Sequence, residues 1–427
     1  MKKVLFITYY WPPSGGPGVQ RALKFSRYLA DFGWVPIVLT VRDGDYPAVD
    51  ESLVRDSSEL KVIYTSSIEP FRLYRIFTGK KKGDAIPTFV LNQDKSERFS
   101  DRLSKWIRAN LFIPDGRVGW VPFAVRKGLA LIKNENIRLI FSTSPPHSLQ
   151  LTARILAKKT NLPWISDFRD PWTEAFWISG RHNKISEWLN QRIESSVFKS
   201  ADLITTVSPG LSDFFYTKHN RRSEVIYNGF ERINTDKIRS ESFIILFIGH
   251  LSVYQDPEPL FSALMQIREK QYKNITIQFI GQIFHGFQAL FRQYPELKIS
   301  VSDYLPYDQL MKKASLASML FRPVAHSKYA SANIGTKMFD YLALRKPILT
   351  IGPRNSVSEI ILKETGSGQI FDKTETKAMG EFVLKYFALW EKHGYILLDN
   401  LSRLRKYGTR NSVQKLANLF NQVDEHV

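Results

Sequence analysis

KVLFITYYWPPSGGPGVQRALKFSRYLADFGWVPIVLTV, residues 3–41, reads as strand, glycine loop, helix and strand. The apolar run 3–9 enters a loop of aromatic, proline and glycine residues. Val19, Ala22, Leu23, Phe25 and Leu29 then share one helical face. Gly33 ends that helix, and 35–41 (VPIVLTV) supplies a second strand parallel to the first, so the chain opens as a βαβ unit of Rossmann type. Small residues allow a ligand close to the backbone at the carboxyl end of such a sheet, which makes Gly15 and Gly16 candidate ligand contacts. The loop is not G-x-G-x-x-G, and Arg42 rather than an acidic residue follows the second strand. Both features disfavour a nicotinamide dinucleotide.

Outward from this unit, residues 50–119 read as irregular and basic, with one amphipathic helix whose face holds Phe99, Leu103, Trp106, Ile107 and Leu111. Regular alternation resumes at Phe123. A helix to about 133, strand 139–142, the loop TSPPHS at 143–148, helix 149–159 and strand 164–167 follow one another. The loop DFRDPW at 167–172, helix 185–200, strand 203–207 and a helix opened by Ser208 and Pro209 complete the half. Because parallel strands aim their carboxyl ends at one edge, Gly15, Gly16, His147, Asp167, Arg169, Asp170 and Ser208 are expected to converge.

After an Asn-Gly turn at 228–229 and a polar run, 232–242, taken as a linker, the pattern restarts. Strands are expected at 243–248, 275–280, 299–301 and 317–321, with helices at 257–270, 284–294 and 307–314 between them. The stretch SANIGTKMFDYLALRKPILTIGP, 331–353, then packs a turn at Gly335, a helix for which Thr336 is the expected cap, and a buried strand into little chain. Residues 378–407 and 412–423 read as helical. The expected architecture is α/β, two Rossmann-like domains facing across a cleft: 1–231 with the basic aromatic insertion, 243–405, and a helix within 406–427 returning to the first domain.

The longest apolar stretches in the 427 residues are cut by Arg126 and Lys127, His250 or Arg322, too short for a membrane span. Met1, Lys2 and Lys3 lead into a six-residue apolar stretch, expected to be a first strand rather than a signal peptide. The absence of cysteine excludes disulfides, thiolate metal sites and a cysteine nucleophile, and with the preceding points sets the expectation of a cytoplasmic protein. A formal charge of +19 points to a polyanionic partner, an anionic membrane surface, or solubility alone. Between 71 and 127, residues such as Arg72, Arg75, Lys80, Lys81, Lys82, Arg102, Lys105 and Arg108 interleave with Phe71, Tyr74, Phe77, Trp106 and Phe112. That mixture fits first an interfacial membrane patch, second a nucleic-acid surface, and equally a solvated basic face with its aromatics in the core.

No H-E-x-x-H, G-x-S-x-G or Walker loop occurs, which removes zinc protease, α/β-hydrolase and P-loop chemistry and leaves group transfer. His147, after two prolines, can contact a hydroxyl or stand exposed on its loop. Asp167, Arg169 and Asp170 can bind an acceptor or supply a base, or form an internal Asp–Arg pair that pins the loop. At 331–353 the helix start with Lys337 in its first turn can hold a diphosphate and Asp340 can reach a sugar hydroxyl; the alternative is an ordinary crossover with a surface lysine and aspartate.

With these parts in order the chain resembles the family 4-type glycosyltransferases of the two-domain GT-B fold, which build bacterial surface polysaccharides. The resemblance spans nearly the whole chain: the glycine-loop start at Gly15 and Gly16, SPPHS at 144–148, DFRDPW at 167–172, YNGF at 227–230 and KMFDYLALRKPI at 337–348. It implies a nucleotide-sugar donor bound by Gly15, Gly16, Gly249, His250, Arg322, Gly335, Thr336, Lys337 and Asp340, with Asp340 on the ribose. His147, Asp167, Arg169 and Asp170 are then the catalytic candidates. It further implies a retaining reaction without metal or other cofactor, a saccharide or lipid-linked acceptor, an anionic inner-membrane surface as partner, and no nucleic acid. Two family positions differ here. Ala332 stands where the first glutamate of an E-x7-E pair would fall, and His250 follows Gly249 where an arginine is usual, leaving Arg322, Lys328 and Lys337 to supply positive charge. A nucleotide-sugar epimerase of the same fold, or a catalytically silent scaffold for membranes or polyanions, are the rival readings.

Overall fold

The computed structural model describes residues 1–44, 46, 49–68, 106, 110–174, 182–267, 273–303, 305–325, 330–332 and 334–425. Most of the expected helix from Phe99 to Leu111, the basic residues between 72 and 108, and Lys328 lie outside them. Two units are present, Met1–Tyr227 with Thr409–Val427, and Asn228–Gly408.

The first unit holds a parallel sheet of β1 (Lys2–Ile7), β2 (Trp34–Val41), β3 (Lys61–Thr65), β4 (Ile137–Ser144), β5 (Trp164–Phe168), β6 (Leu203–Thr206) and β7 (Glu224–Val225), in the order β3-β2-β1-β4-β5-β6-β7. Its central strands are apolar on both faces because both are covered. Leu5, Ile7, Ile37 and Leu39 pack on one side, while Val4, Phe6, Val38 and Phe141 pack on the other. Pro36 is tolerated inside β2 by position. Thr8 N–H donates to the Leu39 carbonyl and Arg42 N–H to Thr65, so even-numbered residues of β2 face β3. Pairing with β3 begins only at Ile37, and the missing N–H of Pro36 therefore breaks no ladder bond. β3 itself falls where an irregular segment was expected, because a half-exposed edge strand of five residues carries too little apolar pattern to announce itself.

The helix Thr409–Glu425 belongs to the first unit. Val413, Leu416, Ala417, Phe420 and Val423, at three- and four-residue spacing, pack into the core formed by Val4, Phe6, Trp34 and Phe141. Its polar edge is pinned as well: Trp34 Nε1 donates to Asn421 Oδ1 at 3.1 Å, and Lys2 and Arg138 meet Asp424 at 2.9 and 3.0 Å.

The second unit is a parallel sheet of β8 (Phe243–Ile248), β9 (Ile275–Ile280), β10 (Lys298–Ser302), β11 (Met319–Pro323), β12 (Ile348–Ile351) and β13 (Gly368–Phe371), in the order β10-β9-β8-β11-β12-β13. The expected linker at 232–242 proves to be part of this unit. Asn234 N–H donates to the Ala343 carbonyl at 2.7 Å and Ser240 N–H to Gly394 at 2.9 Å, so these backbone bonds hold the polar run on the second unit and the boundary falls at Tyr227. The helix expected over 378–407 is interrupted, since Thr376–His393 stops at Gly394 and only the short Leu401–Leu404 and Arg405–Tyr407 turns follow. Two further helices are shorter than expected, at Glu258–Met265 and Phe287–Phe291.

Candidate active site

Both sheets reverse strand order once, between β1 and β4 in the first unit and between β8 and β11 in the second. In open α/β sheets the crevice outside the carboxyl ends at such a reversal is where ligands bind. The sequence-selected residues divide between these two places.

In the second unit, β8 is followed by Gly249 and His250, and β11 carries Arg322 toward the loop before the helix Lys337–Leu344. Gly249 has φ +96, and a Cβ there would lie 2.7 Å from Lys337 Cε, so only glycine permits the lysine to lie across this turn. Lys337 Nζ donates to the His250 carbonyl at 2.9 Å and sits 4.4 Å from the Phe247 ring centroid. Arg322 is buried and donates to Ser358 Oγ at 3.2 Å and to the carbonyl of Ile334, next to Gly335 with φ +68. The hydrogen bonds that fix both cations thus run to neutral oxygens. Burial, then the Arg322 charge, push the Lys337 ammonium down to about 7 against a partial pull from Asp340. Burial likewise lowers Arg322 to about 10, and burial and Lys337 lower His250. Two desolvated cations gathered at a sheet reversal, beside the start of a helix, form an electrostatic trough for an anion.

Asp340, one turn into the same helix, accepts from the Tyr307 hydroxyl at 2.8 Å. Thr336 occupies the cap position with helical backbone angles and makes no side-chain cap bond, contrary to the expected cap. Tyr341, on the buried face of the same helix, accepts from Ile248 N–H at 3.0 Å and donates to the Phe321 carbonyl at 3.1 Å. Its hydroxyl ties β8, β11 and the helix together at the reversal. Nothing in the spacing announces Tyr307, whereas a tyrosine on a fully buried stripe signals that its hydroxyl needs partners.

In the first unit the glycine loop follows β1, and Gly16 adopts φ +94 directly before the helix Pro17–Leu29. Arg169 clamps the start of this helix. Its guanidinium donates to the carbonyls of Gly18 at 2.6 Å, Ser144 at 3.0 Å and Pro145 at 2.9 Å, joining the first turn of the helix to the ends of β4 and β5. Asp167 is fully buried, and its carboxylate accepts from Arg21 at 2.9 and 3.1 Å, Thr143 at 2.7 Å and Thr205 at 2.8 Å. Burial raises its pKa, but Arg21 and these hydrogen bonds outweigh that and hold it low. The expected Asp–Arg pair therefore exists with a different arginine, and a carboxylate so enclosed is a structural anchor rather than a base. Arg21, at 2% exposure, was missed although it interrupts the apolar stripe of its helix, which was the available signal.

His147 is buried rather than exposed on its loop. Its ring stacks on Trp172 at 4.8 Å and 9°, and Trp172 is held by Nε1–H donation to Asn190 Oδ1 at 2.8 Å. Burial lowers the imidazole to about 4, and Nδ1 has no partner among the described residues. The ring is thus neutral at pH 7, suited to a hydrogen bond with a hydroxyl. Asp170 follows Arg169, and burial raises its carboxyl against the pull of that arginine. Ser208 caps its helix by accepting from Leu211 N–H, and Glu174 pairs with Lys218 at 2.6 Å.

Fold comparison places the chain among the GT-B proteins. HepE from Anabaena, in complex with UDP and glucose, superposes with a TM-score of 0.62 at 13% identity, over 99% of this chain and 100% of HepE. Sucrose-phosphate synthase from Thermosynechococcus elongatus gives 0.64 at 13% identity over 100% of both chains. The lipopolysaccharide outer core galactosyltransferase WaaB, in its apo form, gives 0.58 at 12% identity, over 98% of this chain and 99% of WaaB. No curated protein matches in sequence. Residues 80–232 match Glycosyltransferase Family 4, and the solved structures share the chain's GT-B fold over nearly its whole length.

Proposed function

We propose that the protein moves a sugar from a nucleoside-diphosphate donor, bound by the second unit, to a saccharide or lipid-linked acceptor in the synthesis of a cell-surface polysaccharide, lipopolysaccharide or capsule. The observation that carries this reading is the pair of cations, half-buried Lys337 and buried Arg322, converging with the Gly249 and Gly335 turns at the sheet reversal. When the bond from sugar to diphosphate breaks, the electron pair stays on a diphosphate oxygen, and that charge must meet cations or N–H donors already in place. Lys337, Arg322 and the N–H groups at the start of the helix Lys337–Leu344 supply them, so the reaction draws its positive charge from the protein without a metal. Asp340 is placed in this reading on the donor ribose. His147 and Asp170 face the acceptor in it, and transfer proceeds with retention at the anomeric carbon. The complex of HepE with UDP and glucose supports a uridine nucleotide as the first donor to test.

A melting-temperature screen of UDP-, GDP- and ADP-linked sugars identifies the donor, because a ligand that binds only the folded state raises its apparent stability. With that donor, Lys337→Ala and Arg322→Ala should each lower transfer by roughly a hundredfold or more, the cost of one charge-assisted contact at a developing anion. Transfer within a few fold of the parent in both variants, or release of an isomerised sugar without acceptor, would refute the assignment.

A further inference from the structure

The helix Lys337–Leu344, which carries Lys337 and Asp340, is closed by a residue ill suited to the task. Arg345 follows it in the left-handed conformation, φ +54, and is buried. Asn136, Asn161, Asn220, Gly366 and Gly394 close other helices in the same conformation. Glycine has no Cβ to clash there and asparagine tolerates it, whereas a longer side chain is strained. Among the described residues, Arg345 is the one charged side chain that ends a helix in this way.

The strain accompanies a clamp. The Arg345 guanidinium forks between two segments far apart in the sequence: Nε and Nη2 donate to the Leu398 carbonyl at 3.0 and 2.6 Å, and Nη1 to the Asn234 carbonyl at 3.4 Å. The backbone repeats the tie. Leu398 N–H donates to the Arg345 carbonyl at 2.8 Å and Asn234 N–H to Ala343 at 2.7 Å, occupying carbonyls that a helix end leaves open. Lys346, 1% exposed, donates to the Ile396 carbonyl at 2.7 Å, and burial brings its ammonium down to about 8. Two adjacent cations are thus buried against neutral oxygens, which costs free energy that a glycine stop would avoid.

Strain of this kind persists where the surrounding structure fixes a geometry that function requires. Here that geometry lies at the other end of a short helix. At ~1.5 Å of rise per residue, a rigid helix of this length carries any tilt at Arg345 directly to Lys337, whose Nζ reaches the His250 carbonyl across Gly249. We propose that Arg345 is a positioning residue for the donor site: by locking the helix end to the segments at 234 and 398, it sets where Lys337 and Asp340 stand toward a bound diphosphate and ribose. The inference rests on the donor reading and adds to it a residue that acts only through its neighbours.

The test pairs hydrogen–deuterium exchange of the ligand-free full chain with titration of inorganic pyrophosphate and of the nucleotide sugar that the melting-temperature screen selects. Arg345→Gly and Arg345→Asn both keep the left-handed backbone and remove the fork. In each, amide exchange within 337–344 should quicken by about tenfold as the clamp opens locally. Affinity for both ligands should fall by about tenfold or more, since Lys337 and Asp340 lose their fixed placement together. Melting temperature should stay within a few degrees of the parent, because relief of backbone strain offsets part of the lost hydrogen bonding. Arg345→Lys, which keeps the charge and can reach one carbonyl, should fall between these variants and the parent. Asn220→Gly, a change at the same kind of helix end in the first unit, should alter neither exchange at 337–344 nor affinity. Faster exchange with unchanged affinity would make Arg345 a structural clamp alone and overturn the positioning role, as would parental exchange and affinity in both variants. A parent that binds no nucleotide sugar would instead remove the donor reading itself, and this role with it.

Discussion

Replacing Lys337 by methionine should stabilise the protein without donor while destroying its hold on the donor, and the two effects share one cause. The ammonium stands at about 7 instead of 10.5, first because of burial and second because of Arg322. A lysine whose folded-state pKa lies below its unfolded value opposes folding wherever it is charged. The penalty is complete below the folded pKa near 7, shrinks as pH rises, and vanishes near 10.5, where both states are neutral. At ~1.4 kcal/mol per unit, the penalty is at most roughly 5 kcal/mol. Methionine keeps the apolar contact with Phe247 and removes the charge, so the melting temperature of the ligand-free protein should rise by several degrees at neutral pH and not near pH 10. A bound diphosphate reverses the electrostatics and recharges the lysine. Binding of UDP-glucose, whose diphosphate diester does not titrate in this range, should therefore take up a proton: about 0.9 at pH 8, about half at pH 7 and close to none at pH 6. Calorimetry in buffers of different ionisation enthalpy reads this number directly. A parent that takes up no proton at pH 8, or a methionine variant that still does, would refute the reasoning.

Three other outcomes follow from the same geometry. Arg21→Met leaves the Asp167 carboxylate buried without its cation, and urea unfolding should show a loss of about 3–5 kcal/mol, since breaking a buried pair strands a charge. Tyr307→Phe removes the hydroxyl 2.8 Å from Asp340 and keeps the ring; nucleotide affinity should fall by about fivefold to tenfold, while pyrophosphate affinity stays constant. His147, lowered to about 4 by burial, should show no imidazole titration by NMR between about pH 5 and 8, and Trp172→Ala, which admits water to the ring, should bring its titration back toward 6.5.

The α/β class and the GT-B resemblance were legible in the chain because a parallel strand covered on both faces must be apolar throughout. The stretches at 3–9, 243–248 and 275–280 announce themselves by composition alone, and the stripe of Val19, Ala22, Leu23, Phe25 and Leu29 does so by period. Glycines after the first strand of each unit, at Gly16 and Gly249, were visible for the same local reason: the backbone needs a positive φ there. A short edge strand such as Lys61–Thr65 was invisible because half of its surface faces water and its pattern is weak.

The site was legible as residue types and not as pairs. The aspartate and arginine of DFRDPW look like partners two positions apart, yet Asp167 is held by Arg21 and Arg169 by three carbonyls, because strand order brings the helix after β1 against β5. Likewise Tyr307 meets Asp340, and Lys337 crosses Gly249, only because β8 and β11 are neighbours in the sheet and one helix closes over their ends. Sequence by itself determined where the buried strands and the striped helices fall, though not the edge strand Lys61–Thr65 or every helix end, since that depends on local period and burial. Which charges meet was decided by tertiary structure alone, because Coulomb and hydrogen-bond energies depend on distances that strand order, rather than spacing along the chain, sets.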